Sequence, residues 1–404
     1  MTLAPRILVN LLAGYRVNRL RKRLKAEGNG VASQRATFAK LITQIARTEF
    51  GRANQVGAGM AYEEFQRTVA PRQHDDFLPY IDRMALGEKD VLWPGYCQFF
   101  AATAGTSTGT PRRLPVTAEL LNHYRSSLRD TVLSYSGRVK HPGVFRGRHL
   151  HLGGSTQMRA VGSGYEGNLD ALGALCLSRW TEANLYAPPA PVARLPDGPE
   201  KRTAIATAMV GRDVTLLAGA PPSIRAFADA VLAHASTGKI RMTNLRAVWP
   251  NLECFLHTGA PLGLFAEELR SVLGDAVNFH ELYAAAEGCF ATQDGDPAGG
   301  LRLLTNAGIF YEFIPVADFS DSVLPQLGAK CVPLEKVRAG VDYVLVVTTP
   351  AGLCRYVVGD IVRFVTTEPP RIQCRGRLQL RLASFGENIS ERELTDTLLD
   401  VCAA

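Results

Sequence analysis

The sequence lacks the patterns typical of zinc-binding, disulfide-rich, membrane-spanning and repeat proteins. Its 8 cysteines are scattered, without a Cys-x-x-Cys pair or a Cys/His cluster at metal-ligand spacing. We therefore expect free thiols and a cytoplasmic location. No apolar run is long enough to cross a bilayer, so stable membrane insertion is not expected. Internal repeats, low-complexity segments and nucleic-acid-binding motifs are also lacking, which leaves an ordinary globular protein.

The composition fits a globular protein larger than one compact core. The chain has 404 residues, of which 46% are hydrophobic and 21% charged. At this length two or more subdomains are expected. The formal net charge of +7 favours anionic ligands such as nucleotides.

The order of apolar patterns predicts an α/β fold. Residues 1 to 80 have apolar side chains at helical spacing. Between residues 97 and 273, apolar runs typical of strands alternate with helical segments, apart from a proline-rich connection at 186–200. This alternation predicts parallel strands flanked by helices. After residue 300, short β-branched and aromatic runs predict an antiparallel sheet or small barrel-like subdomain, at about 300–370.

The N-terminal segment is basic and amphipathic. Between Arg6 and Lys25, leucine and isoleucine side chains are interspersed with arginine and lysine. Two interpretations are open. We favour a helix that packs on its own domain; the other is a helix that contacts a membrane surface.

One segment indicates more about the protein's chemistry than any other. It is residues 103 to 113, Thr-Ala-Gly-Thr-Ser-Thr-Gly-Thr-Pro-Arg-Arg. Glycine lets the backbone pass close to a ligand, and backbone N–H groups together with the hydroxyls of Thr103, Thr106 and Ser107 can donate to an anion. Arg112 or Arg113 supplies positive charge. The segment lies between a predicted strand and a predicted helix, where phosphate sites form readily. It does not end in Gly-Lys-Ser/Thr, so it is not a Walker loop. The alternative is a flexible surface loop.

Two further segments place small or polar groups at predicted turns. One is the turn at 257–262, His-Thr-Gly-Ala-Pro-Leu, after a predicted strand. In the other, at 282–288, Tyr283 offers a flat face for a base, three alanines permit close approach, and Glu287 offers a carboxylate. Mg²⁺ prefers one or two carboxylates together with ligand phosphates, which makes Glu287 a candidate metal ligand. The alternative for this segment is a helix start with a surface glutamate.

A fourth segment, at 353–360, ends in a carboxylate. Asp360 follows Gly359 at the predicted end of a strand pair. A carboxylate can accept two hydrogen bonds from a ribose diol, as acidic residues do in dinucleotide sites. The alternative is a Gly-Asp hairpin turn that binds nothing.

Together and in this order, the segments resemble the GH3 family of acyl-acid amido synthetases, which belongs to the adenylate-forming enzymes with firefly luciferase and the acyl-CoA ligases. The family's Ser-Ser-Gly-Thr-Ser-x-Gly-x-x-Lys loop is similar to residues 103–112. Its Tyr-x-Ser-Ser-Glu motif is similar to 283–287, and its Tyr-Arg-Tyr-x-x-Gly-Asp motif to 354–360. The connecting segments that also match are Trp249-Pro-Asn-Leu, Thr258-Gly, Tyr311-Glu-Phe-Ile-Pro and Gly386-Glu-Asn.

The resemblance implies a two-step reaction that uses ATP and Mg²⁺. A carboxylic acid attacks the α-phosphate of ATP, which gives an acyl-adenylate and pyrophosphate. An amine, usually an amino acid in this family, then attacks the activated carbonyl. The catalytic positions that the resemblance implies are Thr106, Ser107, Arg112 and Glu287.

The resemblance also implies which residues contact the nucleotide. Tyr283 and the turn of Thr258 and Gly259 would flank adenine, Asp360 would bind the ribose hydroxyls, and Glu287 would help hold Mg²⁺. The other nucleotide-binding positions are Thr103, Gly105, Thr106, Ser107, Ala284 and Arg377.

Tyr124 and Arg125, on the predicted helix after the loop, are candidates for the pocket that binds the acid. The alternative for both is an ordinary solvated helix face.

The sequence departs from the family pattern in three places. Arg112 replaces the lysine of the loop, and a planar guanidinium is not interchangeable with an ammonium. Ala285 and Ala286 replace the two serines of the second motif. The family has a C-terminal lid domain with a catalytic lysine after a hinge near 377–381, and this chain ends about where that domain would begin. We therefore expect a large N-terminal domain at 1–380, followed at 381–404 by the hinge and the start of a truncated domain.

The sequence predicts an ATP-dependent, AMP-forming ligase that joins a carboxylic acid to an amino acid or another amine. A thioester-forming acyl-CoA ligase is one alternative, and a catalytically impaired nucleotide-binding module is another. The expected partners are the small-molecule acid and amine, with a C-terminal domain in trans as a further candidate; nucleic acid is not expected.

Overall fold

The structure, a computed structural model, describes residues 6–103, 112–236, 241–259, 262–378, 381–384 and 387–390, with residues 397 and 401. Its helices are α1 (Arg6–Glu27), α2 (Val31–Ile45), α3 (Glu49–Ala53), α4 (Tyr62–Thr68), α5 (His74–Ala85), α6 (Ala118–Val139), α7 (Leu169–Leu175), α8 (Arg179–Asn184), α9 (Ala190–Ala193), α10 (Pro199–Met209), α11 (Pro221–Ala235), α12 (Leu245–Val248) and α13 (Ala266–Leu273).

Strands follow the first helices and recur to the end of the described chain. They are β1 (Phe99–Thr103), β2 (Arg112–Val116), β3 (Arg148–Leu152), β4 (Arg159–Val161), β5 (Gly164–Gly167), β6 (Tyr186–Ala187), β7 (Val214–Gly219), β8 (Cys254–His257), β9 (Asn278–Ala285), β10 (Gly288–Thr292), β11 (Leu301–Leu303), β12 (Phe310–Pro315), β13 (Val332–Pro333), β14 (Asp342–Thr348), β15 (Tyr356–Thr367), β16 (Pro370–Arg377), β17 (Arg381–Ser384) and β18 (Glu387–Ser390).

The N-terminal segment is helical, as its apolar spacing predicts. On α2, Phe38, Leu41, Ile42 and Ile45 recur every three or four residues, and all are buried in the main core. Helix α1 packs on α6 through Val17 and Leu20, which are buried against Leu133, and this confirms the packing that we favoured.

Most strands belong to one mixed sheet of 12 strands, in the order β13-β12-β14-β15-β16-β11-β10-β9-β8-β7-β3-β6. Strands β6, β3, β7, β8 and β9 are parallel, and from β9 onward each neighbouring pair is antiparallel. The α/β fold with helices on the sheet is therefore confirmed.

The antiparallel strands differ from expectation in how they join the rest. They do not close into a barrel within the described residues. Instead, they continue the parallel sheet beyond β9. The reason is local. A tight turn after β9 sends β10 back along its neighbour, with Ala285 opposite Gly288, so the antiparallel pattern begins at residue 288 rather than near 300.

A smaller sheet of 4 strands, in the order β2-β1-β5-β4, carries the predicted phosphate loop. Thr103 at the end of β1 pairs with Arg112 at the start of β2, so the segment 104–111 connects two antiparallel neighbours. Gly105, Thr106 and Ser107 lie outside the described residues. After β2, Thr117 begins α6 because its hydroxyl accepts a hydrogen bond from the backbone N–H of Leu120 at 3.2 Å.

Helix α6 lies on one face of the sheet, and α10, α11 and α13 lie on the other. On the α6 side, His280 of β9 hydrogen-bonds to the carbonyl of Thr131 at 3.1 Å. On the other side, Trp249 is fully buried and donates its indole N–H to the carbonyl of Met209 at 3.0 Å. Across the described part of the chain, no helix combines the length and the apolar character that a membrane crossing requires.

Candidate active site

Glu287 lies in the tight turn that joins β9 to β10, and its side chain is buried. The segment 282–288 therefore belongs to a strand and a turn, so the alternative of a helix start with a surface glutamate is wrong. Burial raises the pKa of Glu287 to about 7, and the negative charge of Asp360 acts in the same direction. A hydrogen bond from Tyr356 and the charge of Arg377 partly oppose this shift.

Tyr356 joins this carboxylate to the end of the phosphate loop. The phenol is fully buried, and it lies close enough to the Glu287 carboxylate and to the Arg112 guanidinium for both to affect its pKa. Burial, together with the charge of Glu287, keeps the pKa of Tyr356 well above its usual range, so the phenol remains protonated. A protonated phenol at this place can donate to Glu287 and accept from the guanidinium of Arg112. The predicted loop cation and the predicted metal ligand are thus connected through one side chain.

Asp360 is held by two side chains from other strands of the large sheet, β9 and β16. The phenol of Tyr283, on β9, donates to Asp360 Oδ2 at 2.6 Å. The guanidinium Nε of Arg377, at the end of β16, lies 2.9 Å from Asp360 Oδ1. Burial and the charge of Asp360 raise the pKa of Tyr283 well above its usual range. Tyr283, Asp360 and Arg377 are therefore brought together, as the sequence suggested for a nucleotide site.

The position of Asp360 within its strand corrects the expectation of a strand end or a hairpin turn. Asp360 lies inside β15, which is 12 residues long. Between the pairs Val344–Ile361 and Val346–Val357, β15 bulges against β14, and Gly359 has a φ of 89°. Glycine adopts this dihedral without the steric cost that a side chain brings, so the bulge forms within the strand and does not end it.

The arginine of the same segment has a different environment. Arg355 is fully buried; its Nε and Nη2 donate to the two carboxylate oxygens of Glu312 at 3.0 and 2.9 Å. It also donates to the carbonyls of Gly328, Gln66 and Val69. This network joins β12, α4 and the strand that carries Tyr356 and Asp360. Its contacts are all structural, and they fix the start of β15.

Two residues of α6 hold the turn that carries Glu287. The phenol of the buried Tyr124 donates to the carbonyl of Ala286 at 2.6 Å. His123 Nε2 accepts from the backbone N–H of Cys289 at 2.8 Å, which leaves Nδ1 to donate to the carbonyl of Ala307 at 2.6 Å. For Tyr124 the alternative of a solvated helix face is therefore wrong.

Arg125, the next residue, points elsewhere. It is exposed, and it donates to the carbonyl of Cys176 at 3.0 Å and to Asn122 at 2.6 Å. The structure thus separates the two candidates for the acid pocket: Tyr124 adjoins the Glu287 turn, whereas Arg125 lies on the outer side of α6.

The turn after β8 lies beside β9. His257, the last residue of β8, is directly opposite Glu281, two residues before Tyr283. Thr258 follows, and Gly259 turns the chain with a φ of 85°. The Thr258 hydroxyl and His257 Nδ1 are buried and have no hydrogen-bond partner in the described part of the chain. Polar groups without partners at the carboxyl ends of parallel strands are typical of a ligand site.

Sequence reasoning missed two side chains at this site. Tyr356 was part of a motif but received no role, because nothing in the sequence shows that its phenol reaches Glu287. Glu281 lies two residues before Tyr283, so the two side chains are on the same face of β9. Burial raises the pKa of Glu281. The period of two along β9 could have placed Glu281 beside Tyr283.

The described residues contain no group of three or more His, Cys, Asp or Glu side chains that could hold a metal ion. A site made only from protein ligands is therefore not formed there. A single buried carboxylate, Glu287, fits an ion that takes its remaining ligands from phosphate and water.

The fold is that of the adenylate-forming enzymes. The structure titled "AtGH3.15 acyl acid amido synthetase in complex with 2,4-DB" superposes with a TM-score of 0.78 at 18% identity, over 95% of this chain and 74% of that one. A 2-hydroxyisobutyryl-CoA ligase in complex with 2-HIB-AMP superposes with a TM-score of 0.59 at 14% identity, over 91% of this chain and 72% of that one.

Within that class, the chain belongs to the GH3 family. The GH3 family N-terminal domain matches residues 19–168, and the GH3 family central domain matches 302–377. The probable indole-3-acetic acid-amido synthetase GH3.1 of Arabidopsis thaliana is 23% identical over 91% of this chain and 70% of its own length. The putative indole-3-acetic acid-amido synthetase GH3.10 of Oryza sativa subsp. japonica is 25% identical over 74% of this chain and 67% of its own length.

Proposed function

We propose that this protein is an ATP-dependent, AMP-forming ligase that activates a carboxylic acid as an acyl-adenylate and transfers the acyl group to an amino acid or another amine. The observation that carries the proposal is the convergence of two connected groups. Arg112, Tyr356 and Glu287 form one, and Tyr283, Asp360 and Arg377 form the other. The two groups lie near each other, since the charge of Asp360 contributes to the raised pKa of Glu287.

The second group suits the nucleoside. Asp360 has an ionised partner in Arg377 and a donor in Tyr283, and carboxylate oxygens can accept further hydrogen bonds from a ribose diol. The turn at Thr258 and Gly259 follows the strand next to Tyr283, so the two would flank an adenine ring. The unpartnered Thr258 hydroxyl supplies a polar contact there.

The first group suits the phosphates. Arg112 directly follows the segment 104–111, whose Gly105, Thr106 and Ser107 would hold phosphate oxygens. Glu287 would hold Mg²⁺, which would neutralise phosphate charge and let this buried carboxylate ionise at neutral pH. Because Arg112 lies beside Tyr356, its positive charge would face the same phosphates.

In the first step, a carboxylate oxygen of the acid attacks the α-phosphorus of ATP; a P–O bond forms, and the bond to the leaving pyrophosphate breaks. Negative charge increases around phosphorus, and fixed donors such as Arg112 lower this barrier. In the second step, an amine nitrogen attacks the activated carbonyl, AMP leaves, and the nitrogen loses a proton.

The amine acceptor is preferred over coenzyme A because the curated relatives are named as amido synthetases. One observation favours a weaker enzyme or a binding module: Ala285 and Ala286 stand where the family motif has serines, so two hydroxyl donors are missing beside Glu287. We further propose that residues 1–380 form the large domain, that 381–404 begin a second, and that the protein works in the cytoplasm.

Acid-dependent exchange of pyrophosphate into ATP tests the first step directly. Aryl and aliphatic acids are screened with the wild-type chain, and product formation is then compared with an amino acid and with coenzyme A. D360N is expected to lower exchange through weaker ATP binding. Its matched control is D342N, since Asp342 forms a bidentate pair with Arg363 in the same sheet, at 2.6 and 2.7 Å. Two results would contradict the proposal: pyrophosphate exchange that proceeds without added acid, and equal exchange in D360N and D342N.

A further inference from the structure

Helix α1 uses only one of its sides to pack on the protein. Val17 and Leu20 are buried in a cluster with Leu133 of α6. On another side, Leu11, Leu12 and Tyr15 remain exposed at 66%, 49% and 64%. Large apolar side chains adjacent on one helix are unusual on a surface that contacts only water, and such patches mark interaction sites.

The same helix carries basic side chains that the protein does not neutralise. Arg16, Arg19, Lys22 and Lys25 are exposed and have no hydrogen-bond or ion-pair partner among the residues that the structure describes. Unpaired charges of one sign, close together, attract an anionic surface over about one Debye length.

The acidic groups around α1 are already occupied. Asp130 of α6 pairs with Arg23 and Arg129. Glu27, the acidic residue of α1, binds the side chains of Thr305 and Asn306. The charge on the exposed side of α1 therefore remains uncompensated.

Helical spacing places the apolar and basic groups on one continuous surface. Leu11, Tyr15 and Arg19 follow at intervals of four residues, and Lys22 comes three residues later. Leu12 and Arg16 form a second row beside them. We call this surface the α1 outer face; it is apolar near the N-terminus and basic toward the C-terminus.

We propose that the α1 outer face docks the protein on a membrane surface that contains anionic phospholipids. Leucine and tyrosine side chains enter the headgroup and acyl boundary favourably, and lysine and arginine bind the lipid phosphates. The contact is peripheral, since the opposite side of α1 stays packed on α6. A second copy of the chain is a poorer occupant, because two such faces would bring like charges together. Nucleic acid is poorer because aliphatic side chains do not stack on bases.

The test uses the full chain and vesicles of phosphatidylcholine, with or without phosphatidylglycerol, in a sedimentation assay. We expect binding to the anionic vesicles only, weakened by salt. R16Q/R19Q/K22Q removes three charges, and at about fivefold per charge it should weaken partitioning on the order of a hundredfold. L11Q/L12Q/Y15Q keeps every charge and good helix formers, and it should weaken partitioning by roughly tenfold or more.

The control variants carry the same kinds of substitution at exposed positions outside α1. R67Q/K89Q/R179Q removes three other exposed cations, and L86Q removes a leucine that is 73% exposed. Both should bind as the wild type does. Thermal unfolding followed by circular dichroism establishes that each variant is folded, independently of any ligase activity. Three results would overturn the proposal: no vesicle binding at low salt, equal binding by the α1 variants, or binding to single-stranded RNA in place of vesicles.

Discussion

The phenol of Tyr283 donates to Asp360 Oδ2 at 2.6 Å, across strands that are not neighbours in the sheet. The side chain expected to face a base and the side chain expected to bind a ribose therefore hold each other in place. A hydrogen bond to a charged group contributes about 1.5 to 3 kcal/mol, so Tyr283 determines where the carboxylate points.

Replacing Tyr283 with phenylalanine should loosen Asp360 and leave the ring in position. We expect the KM for ATP in pyrophosphate exchange to rise by roughly three- to tenfold, with a smaller change in kcat. Y311F is the control, because the hydrogen bonds of the Tyr311 phenol within the described residues are to the backbone carbonyls of Phe290 and Leu304. A KM that stays at the wild-type value in Y283F would separate this phenol from nucleotide binding.

The buried carboxylate of Glu287 should lower the free energy of unfolding at neutral pH. Its pKa is raised to about 7, so the folded protein binds this proton more tightly than the unfolded chain does. Stability should therefore fall as pH rises from about 4.5 through 7, by up to about 3 kcal/mol for this group.

Glu287→Gln should accordingly raise the melting temperature at pH 8 and give little change at pH 5, while it weakens the Mg²⁺ dependence of exchange. Glu64→Gln, at an exposed glutamate, serves as the control for both measurements. A variant that is less stable than the wild type at pH 8 would contradict the cost assigned to Glu287.

The buried pair of Arg355 and Glu312 should be far more sensitive to substitution than any surface pair. Among the side chains that the structure describes, Arg355→Met leaves the buried Glu312 with the phenol of Tyr62 as its remaining donor, at 2.9 Å. Loss of one partner of a buried pair costs about 3 to 5 kcal/mol. The urea midpoint should fall sharply, and the double variant R355M/E312L should recover much of the loss.

For comparison, Arg225→Ala removes exposed pairs with Asp229 and Glu268, and it should change stability by less than about 0.5 kcal/mol. Equal urea midpoints for Arg355→Met and Arg225→Ala would refute the importance of burial here.

Buried histidines should make the protein sensitive to acid. Burial lowers the pKa of His123, His149 and His257 to about 4, and that of His280 to about 3. Each contributes stability that is complete above the unfolded pKa of about 6.5 and is lost as pH falls toward 4. At pH 5 the loss is about 2 kcal/mol per histidine, and the sum approaches the usual stability of a folded domain.

We therefore expect unfolding near pH 5 or slightly below, since protonation of Glu287 offsets part of the loss. Circular dichroism as a function of pH measures the midpoint. His280→Gln should lower it, whereas the exposed His234→Gln should not. An acid midpoint below pH 3.5 would contradict this account.

Much of the fold followed from local patterns in the sequence. The apolar spacing of α2, the cap at Thr117 and the buried runs of β7 and β8 depend on neighbouring residues, and the structure confirms all of them. The continuation of the parallel sheet into antiparallel strands depends on a single turn at Glu287. A short stretch of small residues did not distinguish that turn from the start of a helix.

The site was predictable as a set of segments but not as a set of contacts. The motifs located Glu287, Tyr283 and Asp360. They did not show that Asp360 occupies a bulge inside β15, because a Gly-Asp pair is equally typical of a hairpin. They also gave Tyr356 no role, since its contacts join residues that are distant in sequence.

Strands β1 and β2 belong to the small sheet, whereas Tyr356, Asp360 and the turn that carries Glu287 belong to the large one. Their alignment depends on how those two sheets pack against each other, and Arg112 of the small sheet lies beside Tyr356 of the large one. A shift of one sheet against the other would stop turnover, although each sheet would keep its own strands. Warming should therefore abolish exchange several degrees before the circular dichroism signal is lost.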